Sequence, residues 1–441
     1  MTEDTYDVIL LGTGLTECII GGVLATHGYR ILHLDRNPFY GGEGASLNLS
    51  QVFERFGRTR SSLFNTNESY EYNIDLIPKV LLAAGDIVKL MEKTIIDRYN
   101  MDLHTLDGSF MMRDGKYHEV PSSEQKAFLS GLMGLWEKWR VAKFFRFCKN
   151  YDPKKEKMHS QTMAKVFEDY GLSGQSINFI GHAVALHDND DYLQRPAEET
   201  ILKCQLYNLS LQAYGNSPYM YPNHGMGEVP SYFARLGAVH GGVYCLGTQI
   251  EQMSIESNMS HSVDFTGQDY SGKETKHRAR AKWLIGDPSY FPDVAPVKHE
   301  ILRCICITSV KLEQLTLDYH SMQLIIPGSE LKRKNDIFVL QLDRESYVVP
   351  RGKFLVFIST VLEAHENPTS IANLVLSLLC CHPIEIFVRT QEYREPSAHE
   401  MQNVAITKSP DSASHFENSA KDIDSILMRI HGKGLSELYN E

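Results

Sequence analysis

No apolar run in the sequence approaches the roughly 18 residues that a bilayer-crossing helix needs, and the opening segment MTEDTYDVILLG lacks the basic stretch and small-residue cleavage site of a secretory leader. A cytoplasmic protein is the expectation. No CxxC pair occurs among the eight cysteines (Cys18, Cys148, Cys204, Cys245, Cys304, Cys306, Cys380 and Cys381), which speaks against a zinc site or a redox dithiol and leaves buried thiols as the reading. Positive charge is scarce: 44 Lys and Arg face 55 Asp and Glu, a formal net charge of -11, so no nucleic-acid partner is expected. The closing residues LSELYNE hold no CaaX cysteine, and the chain is not expected to carry a prenyl anchor of its own. HExxH, GxSxG and the P-loop pattern are all absent, and His182, His187, His224 and His240 fall in no metal-ligand spacing.

What is present is a chain of 441 residues, 42% hydrophobic and 22% charged, long enough for two or three domains. Residues 7–11 (DVILL) read as a strand, Gly12 and Gly14 as the turn after it, residues 17–27 as a helix, and residues 30–35 as a second strand. That β-α-β unit predicts an α/β fold with a doubly wound parallel sheet. Between about 123 and 214 the pattern turns helical, with Phe128, Leu132, Leu135 and Trp139 on one stripe and Leu202, Leu206 and Leu209 on another. Strand signals return at 242–246, 283–286, 301–310, 337–342 and 354–360, and residues 422–430 read as a final helix, with fraying expected after Gly432. Polar stretches near 50–72, 152–161 and 254–276 read as loops. The expected plan is a discontinuous Rossmann-like domain, 1–118 with 222–441, into which a helical domain, 119–221, is inserted.

The first turn carries a dinucleotide signature with a defect. Gly12 and Gly14 would let backbone approach a pyrophosphate, and Asp35 at the end of the second strand would hold a ribose hydroxyl. The position that wants a third small residue is Glu17. A carboxylate about 4 Å from a phosphate costs on the order of 4 kcal/mol per charge at an effective dielectric of about 20, enough to abolish useful affinity. Gly12, Gly14 and Asp35 are therefore read as vestigial and no cofactor is expected; an FAD-dependent oxidoreductase stands as an alternative on the same fold.

Longer blocks are more specific. GTGLTECI (12–19), LDRNPFYGGE (34–43), NIDLIPK (73–79), LMGLWEKWR (132–140), GHAVALHDNDDYL (181–193), SPYMYPNHGMGEVPSYFARL (217–236) and HFE (415–417) resemble, in order and spacing, the Rab GDP dissociation inhibitor and escort protein family. The length resembles the inhibitors rather than the escort proteins, which carry long insertions and remain the second alternative. The resemblance implies a fold like that of flavin amine oxidases and hydroxylases without the flavin, no enzymatic activity, and a monomer that binds GDP-bound, prenylated Rab GTPases and touches membranes transiently. It implies a Rab-binding platform at Tyr40, Glu228 and Arg235, to which Ser231, Val243 and Cys245 contribute as departures from the usual residues. It implies that Ser217, Pro218, Tyr219, Met220 and Tyr221 form an effector loop, and that the helical domain holds the geranylgeranyl lipid. The apolar residues of that domain, Phe128, Leu132, Met133, Leu135, Phe144, Leu202 and Leu206, with Trp136 and Phe145 beside them, are the candidate pocket.

Overall fold

The structure, a computed structural model, describes residues 3–61, 64, 67–94, 102–122, 134–156, 158–215, 217–256, 260–268, 274–312, 319–397 and 401–438. The run DVILL has almost nothing polar to place outward, and Val8 to Leu11 are completely buried. They form the inner end of β1 (Glu3–Leu11), which is followed by α1 (Leu15–Thr26) and β2 (Ile31–Leu34). Parallel strands covered on both faces read as unbroken apolar runs, and this sheet has that construction. Beyond β2 lies β3 (Val243–Cys245) and beyond β1 lies β4 (Glu274–Gly286), all parallel. The antiparallel strands His261–Gln268 and Gln249–Ser254 extend the sheet outward, and Val404–Ile406 pairs with the far end of β4.

Part of the segment expected as a loop at 254–276 is thus sheet. Val263 lies opposite Ala279 and Phe265 stacks on His277, while Asp264 on the outer face pairs bidentately with Arg278 at 2.5 and 2.6 Å. The polar outer face hid a strand of period two. Residues 50–72 likewise contain a helix, Leu49–Arg55, started by an Asn48–Gln51 capping box. As far as Leu438 the chain does not fray after Gly432: Leu435–Leu438 is a helical turn whose two leucines are buried and whose first amide donates to Asp424 at 2.7 Å.

A second seven-stranded sheet was not separated from the first in the sequence. Its order is Glu385–Arg394, Val297–Thr308, Phe354–Val361, Ile337–Leu342, Met322–Ile326, Gly108–Arg113 and Lys116–Glu119, antiparallel except where Met322–Ile326 meets Gly108–Arg113. Arg303 lies inside it, 1% exposed, donating to Gln391, Ser359 and the Asp411 carbonyl.

The helices of the middle segment are α2 (Leu135–Asn150), α3 (Met163–Asp169) and α4 (Ala197–Tyr214). Val141, Phe144 and Cys148 make the buried stripe of α2. Trp139, expected on an apolar stripe, is 63% exposed, because the inward stripe runs through Val141, Phe144 and Cys148, about half a turn around the helix from it. After α4 come the short strand Tyr219–Pro222 and α5 (Glu228–Val239), and the chain returns late to α6 (Glu417–His431), which lies against α1.

Candidate functional site

The β1–α1 turn reproduces the geometry of a dinucleotide cleft and fills it. Gly12 has φ +106°, a conformation that favours glycine. Asp35, the expected ribose ligand, is already engaged: one oxygen accepts from the Thr13 amide (2.7 Å) and hydroxyl (2.5 Å), the other from the Asn37 amide (2.7 Å) and side chain (2.9 Å). Glu17 is buried and accepts from the Thr407 hydroxyl at 2.6 Å. Burial first and the nearby Asp287 charge second push its carboxyl up to about 8, outweighing the Thr407 bond. Gly14, Glu17, Gly41 and Asp287 line a cavity of about 50 Å³, against the roughly 300–1,000 Å³ of a typical ligand site. With buried Glu17 beside half-buried Asp287, a satisfied ribose acid and no room, these residues do not fit an adenine dinucleotide.

The close helix packing that a third motif glycine would give is supplied elsewhere. A Cβ on Gly21 would lie 2.0 Å from the His33 ring, and one on Gly22 would lie 2.7 Å from the Phe233 carbonyl oxygen. The pair at 21–22 therefore lets α1 rest on both β2 and α5. His33 in turn stacks on Tyr244 at 4.4 Å, and burial holds its imidazole down at about 3, hence neutral.

On the outer side of α5, Glu228, Ser231 and Arg235 recur at i, i+3 and i+7 while Val229, Tyr232, Phe233 and Leu236 face inward. Glu228 and Arg235 are exposed; Ser231 is half-buried, its hydroxyl donating to the Gly227 carbonyl at 2.9 Å. Val243, 41% exposed, lies on β3 at the sheet edge next to α5, with half-buried Cys245 on the same strand. Tyr40, also half-buried, meets Tyr244 of β3 edge-on at 6.0 Å. The structure thus brings the six platform candidates to the region of α5 and β3, with Tyr40 braced by an aromatic contact rather than fully free.

Beneath this region is a buried network that the sequence reading did not anticipate. Asp75, fully buried, accepts from Ser46 (2.5 Å), from Tyr221 and from the Met226 amide (2.9 and 3.1 Å), and Ser46 takes the Gly227 amide at 2.7 Å. These bonds anchor the turn from which α5 starts. Lys79, 1% exposed, bonds Asp411 and donates to the His415 carbonyl at 3.1 Å. Burial alone would raise Asp411, but Lys79 and Asn418 hold it down at about 2. The available signal was a lone acid and a lone base inside the apolar run NIDLIPK, since isolated charges there must be paired. His182 belongs to a similar tie: burial would lower its imidazole, but Asp336 (2.6 Å) and Asp190 (3.1 Å) lift it to about 10.

The residues expected as an effector loop do not form an exposed loop. Tyr219–Pro222 is a strand paired on both sides, with Leu81–Leu82 and Leu103–Thr105, and Ser217, Pro218, Tyr219, Met220 and Tyr221 are all buried. With a strand on each flank, these side chains turn into the core, and Tyr221 serves Asp75.

The lipid candidates separate. Leu202 and Leu206 line a cavity of about 360 Å³ between α4 and α6, together with Leu82, Val184, Leu186 and Ala420, rimmed by Lys203, Glu199 and Lys421. Phe144 does not line it: the ring is completely buried among Phe167 and Tyr170, each 5.5 Å away. Trp136 is 82% exposed and Phe145 half-buried. Phe128, Leu132 and Met133 lie outside the described residues, as does the side chain of Leu135.

The architecture is an α/β fold of the FAD/NAD(P)-binding-like kind in which the space beside the β1–α1 turn is filled. Putrescine oxidase has the same fold, with a TM-score of 0.59 at 8% identity over 98% of this chain and 100% of that one. A nearer likeness is a Rab GDI of Plasmodium falciparum, with a TM-score of 0.84 at 32% identity over 98% and 99%. Rab GDP dissociation inhibitor beta of Canis lupus familiaris is 38% identical over 439 residues, 98% of this chain and 96% of that protein. A guanosine nucleotide diphosphate dissociation inhibitor of Arabidopsis thaliana is 37% identical over 441 residues, again 98% and 96%. The family model for GDP dissociation inhibitor matches residues 1–440, and the chain belongs to that family.

Proposed function

We propose that the protein is a Rab GDP dissociation inhibitor: it binds prenylated, GDP-bound Rab GTPases, slows GDP release, extracts them from membranes and returns them through the cytosol. It performs no reaction itself. The observation that carries this is the outward row Glu228, Ser231 and Arg235 on α5, beside Val243 and Tyr40, above a buried network that fixes the start of the helix. A charged pair of opposite sign with an aromatic at its edge is the composition of an interface centre.

In this reading residues 1–118 and 222–441 read the GTPase, and residues 119–221 hold its lipid. A twenty-carbon geranylgeranyl chain yields on the order of 10 kcal/mol on burial, and a carrier must offer comparable apolar surface to compete with a bilayer. The cavity beside Leu202 and Leu206 is the candidate receptacle. A protein that prefers the GDP arrangement of the switches shifts the GTPase toward that arrangement, which retains the nucleotide.

The test is extraction. Membranes carrying prenylated Rabs loaded with GDP or GTP are incubated with the protein, and the supernatant is assayed. Release of the GDP form with little of the GTP form is expected; equal release of both would overturn the reading.

A further inference from the structure

Helix α2 has a face that the described residues leave largely exposed. Trp136, Trp139, Lys143 and Arg146 fall on the stripe opposite the buried Val141, Phe144 and Cys148, and the two indoles are 82% and 63% exposed. The chain has only three tryptophans, and the third, Trp283, is half-buried in β4. Two large rings held in water on one helix call for an occupant.

Charge identifies it. In a chain of formal net charge -11, α2 carries five basic side chains (Lys138, Arg140, Lys143, Arg146 and Lys149) and one carboxylate, Glu137. That carboxylate is turned to α3's neighbourhood, where it accepts from the Ser173 hydroxyl at 3.0 Å and from Ser176. The nearest acids of α3, Glu168 and Asp169, are both paired with Lys165 at 2.9 and 3.0 Å. The face is also held in shape: Lys143 lies 5.9 Å from the Trp139 ring and 5.5 Å from Tyr170, and Arg140 donates to the Gly171 carbonyl at 2.9 Å.

We propose that this face of α2 docks the protein on the surface of an anionic phospholipid bilayer, Trp136 and Trp139 entering the headgroup layer while Lys143 and Arg146 meet lipid phosphates. Indole rings prefer that layer, and juxtaposed Lys and Arg are drawn to anionic leaflets. A protein surface would have to be both acidic and apolar to match as well, whereas a bilayer presents both properties side by side. The proposal deepens the function above and takes its purpose from it, since extraction requires a foothold on the membrane. Its test needs no GTPase.

The protein alone is mixed with phosphatidylcholine vesicles, with and without phosphatidylserine, and read by tryptophan emission and by flotation. Phosphatidylserine vesicles are expected to shift the emission to shorter wavelength and to float the protein, and neutral vesicles to do neither. Trp136→Ala with Trp139→Ala should abolish flotation, and Lys143→Glu with Arg146→Glu should weaken it about tenfold or more while leaving the far-ultraviolet circular dichroism unchanged. Equal binding to neutral vesicles, or undiminished flotation of both double variants, would overturn the proposal. So would a wild-type dimer that the tryptophan variants convert to monomer, because the face would then be an interface between copies. Capture of prenylated, GDP-bound Rab from detergent solution by the same variants reads the proposed function separately.

Discussion

Glu17 is the residue on which the misfit to a dinucleotide turns, and it makes a measurable demand on stability. Its carboxyl is raised from 4.5 to about 8 by burial and by Asp287, so the folded chain holds a proton that the unfolded chain releases. That contribution is fully present below about pH 4.5 and is lost as the pH rises through about 8. Glu17→Gln keeps the shape and the bond from Thr407 without the charge. Wild type should therefore lose stability relative to this variant between about pH 5 and 9, by on the order of 3 kcal/mol, in urea titrations at fixed ionic strength. Parallel curves for the two proteins would mean that the carboxylate is solvated and the cleft open. Arg235 makes a different demand, because it is exposed on the outer side of α5. Arg235→Ala should leave the denaturation midpoint within experimental error while weakening capture of GDP-bound Rab by about 10- to 100-fold, the range of an interface hot spot. A variant that binds like wild type would remove Arg235 from the platform.

At the scale of elements, the contact between α1 and α5 connects the old fold to its present use. Gly22 admits the Phe233 backbone, and α5 carries the outward row. Gly22→Ala forces a methyl to within 2.7 Å of a carbonyl oxygen, so the helices must part. The expected cost is about 1–3 kcal/mol in chemical denaturation, accompanied by weaker Rab capture as Arg235 shifts; an unchanged midpoint would show that the helices have slack. This contact also explains how far the sequence could be read. The first β-α-β unit was legible because its strands are apolar throughout and its turn needs glycine, and the strand at 337–342 was legible for the same reason. The Gly21–Gly22 pair was not, since a glycine inside a helix announces nothing about which backbone will approach it. The strand at 261–268 and the helix at 49–55 were obscured by polar outer faces and by a capping box inside a polar stretch. The tyrosines of 219–221 looked like surface aromatics, and only the pairing of their strand on both sides turned them into core. The row on α5 was legible as residues, through the family blocks; its support by Asp75 and Ser46 depends on contacts between segments more than a hundred residues apart.

In the proposed function the whole molecule divides its work between two surfaces that share one frame. The sheet bearing β1 to β4 fixes α5 and β3, and the cavity near Leu202 and Leu206 opens between α4 and α6, the helix that packs against α1. If affinity for cargo is split between a protein-reading surface and a lipid receptacle, then damage to the receptacle must be felt only by cargo that carries a lipid. Leu202 and Leu206 are suited to the test because neither is fully buried: Leu202 is 37% exposed, and Leu206 is half-buried at the edge of the core. Leu202→Asp with Leu206→Asp places two carboxylates where the prenyl chain would lie, beside Glu199 and within reach of Lys203 at the rim, so the fold is retained while the cavity becomes polar. Prenylated, GDP-bound Rab should then bind at least about 100-fold more weakly, a loss of about 2.7 kcal/mol. Unprenylated Rab should bind as it does to wild type, within about threefold. If both forms weaken together, the substitutions have disturbed the frame; if neither does, the lipid lies elsewhere in the helical region, and the cavity between α4 and α6 is no part of the carrier.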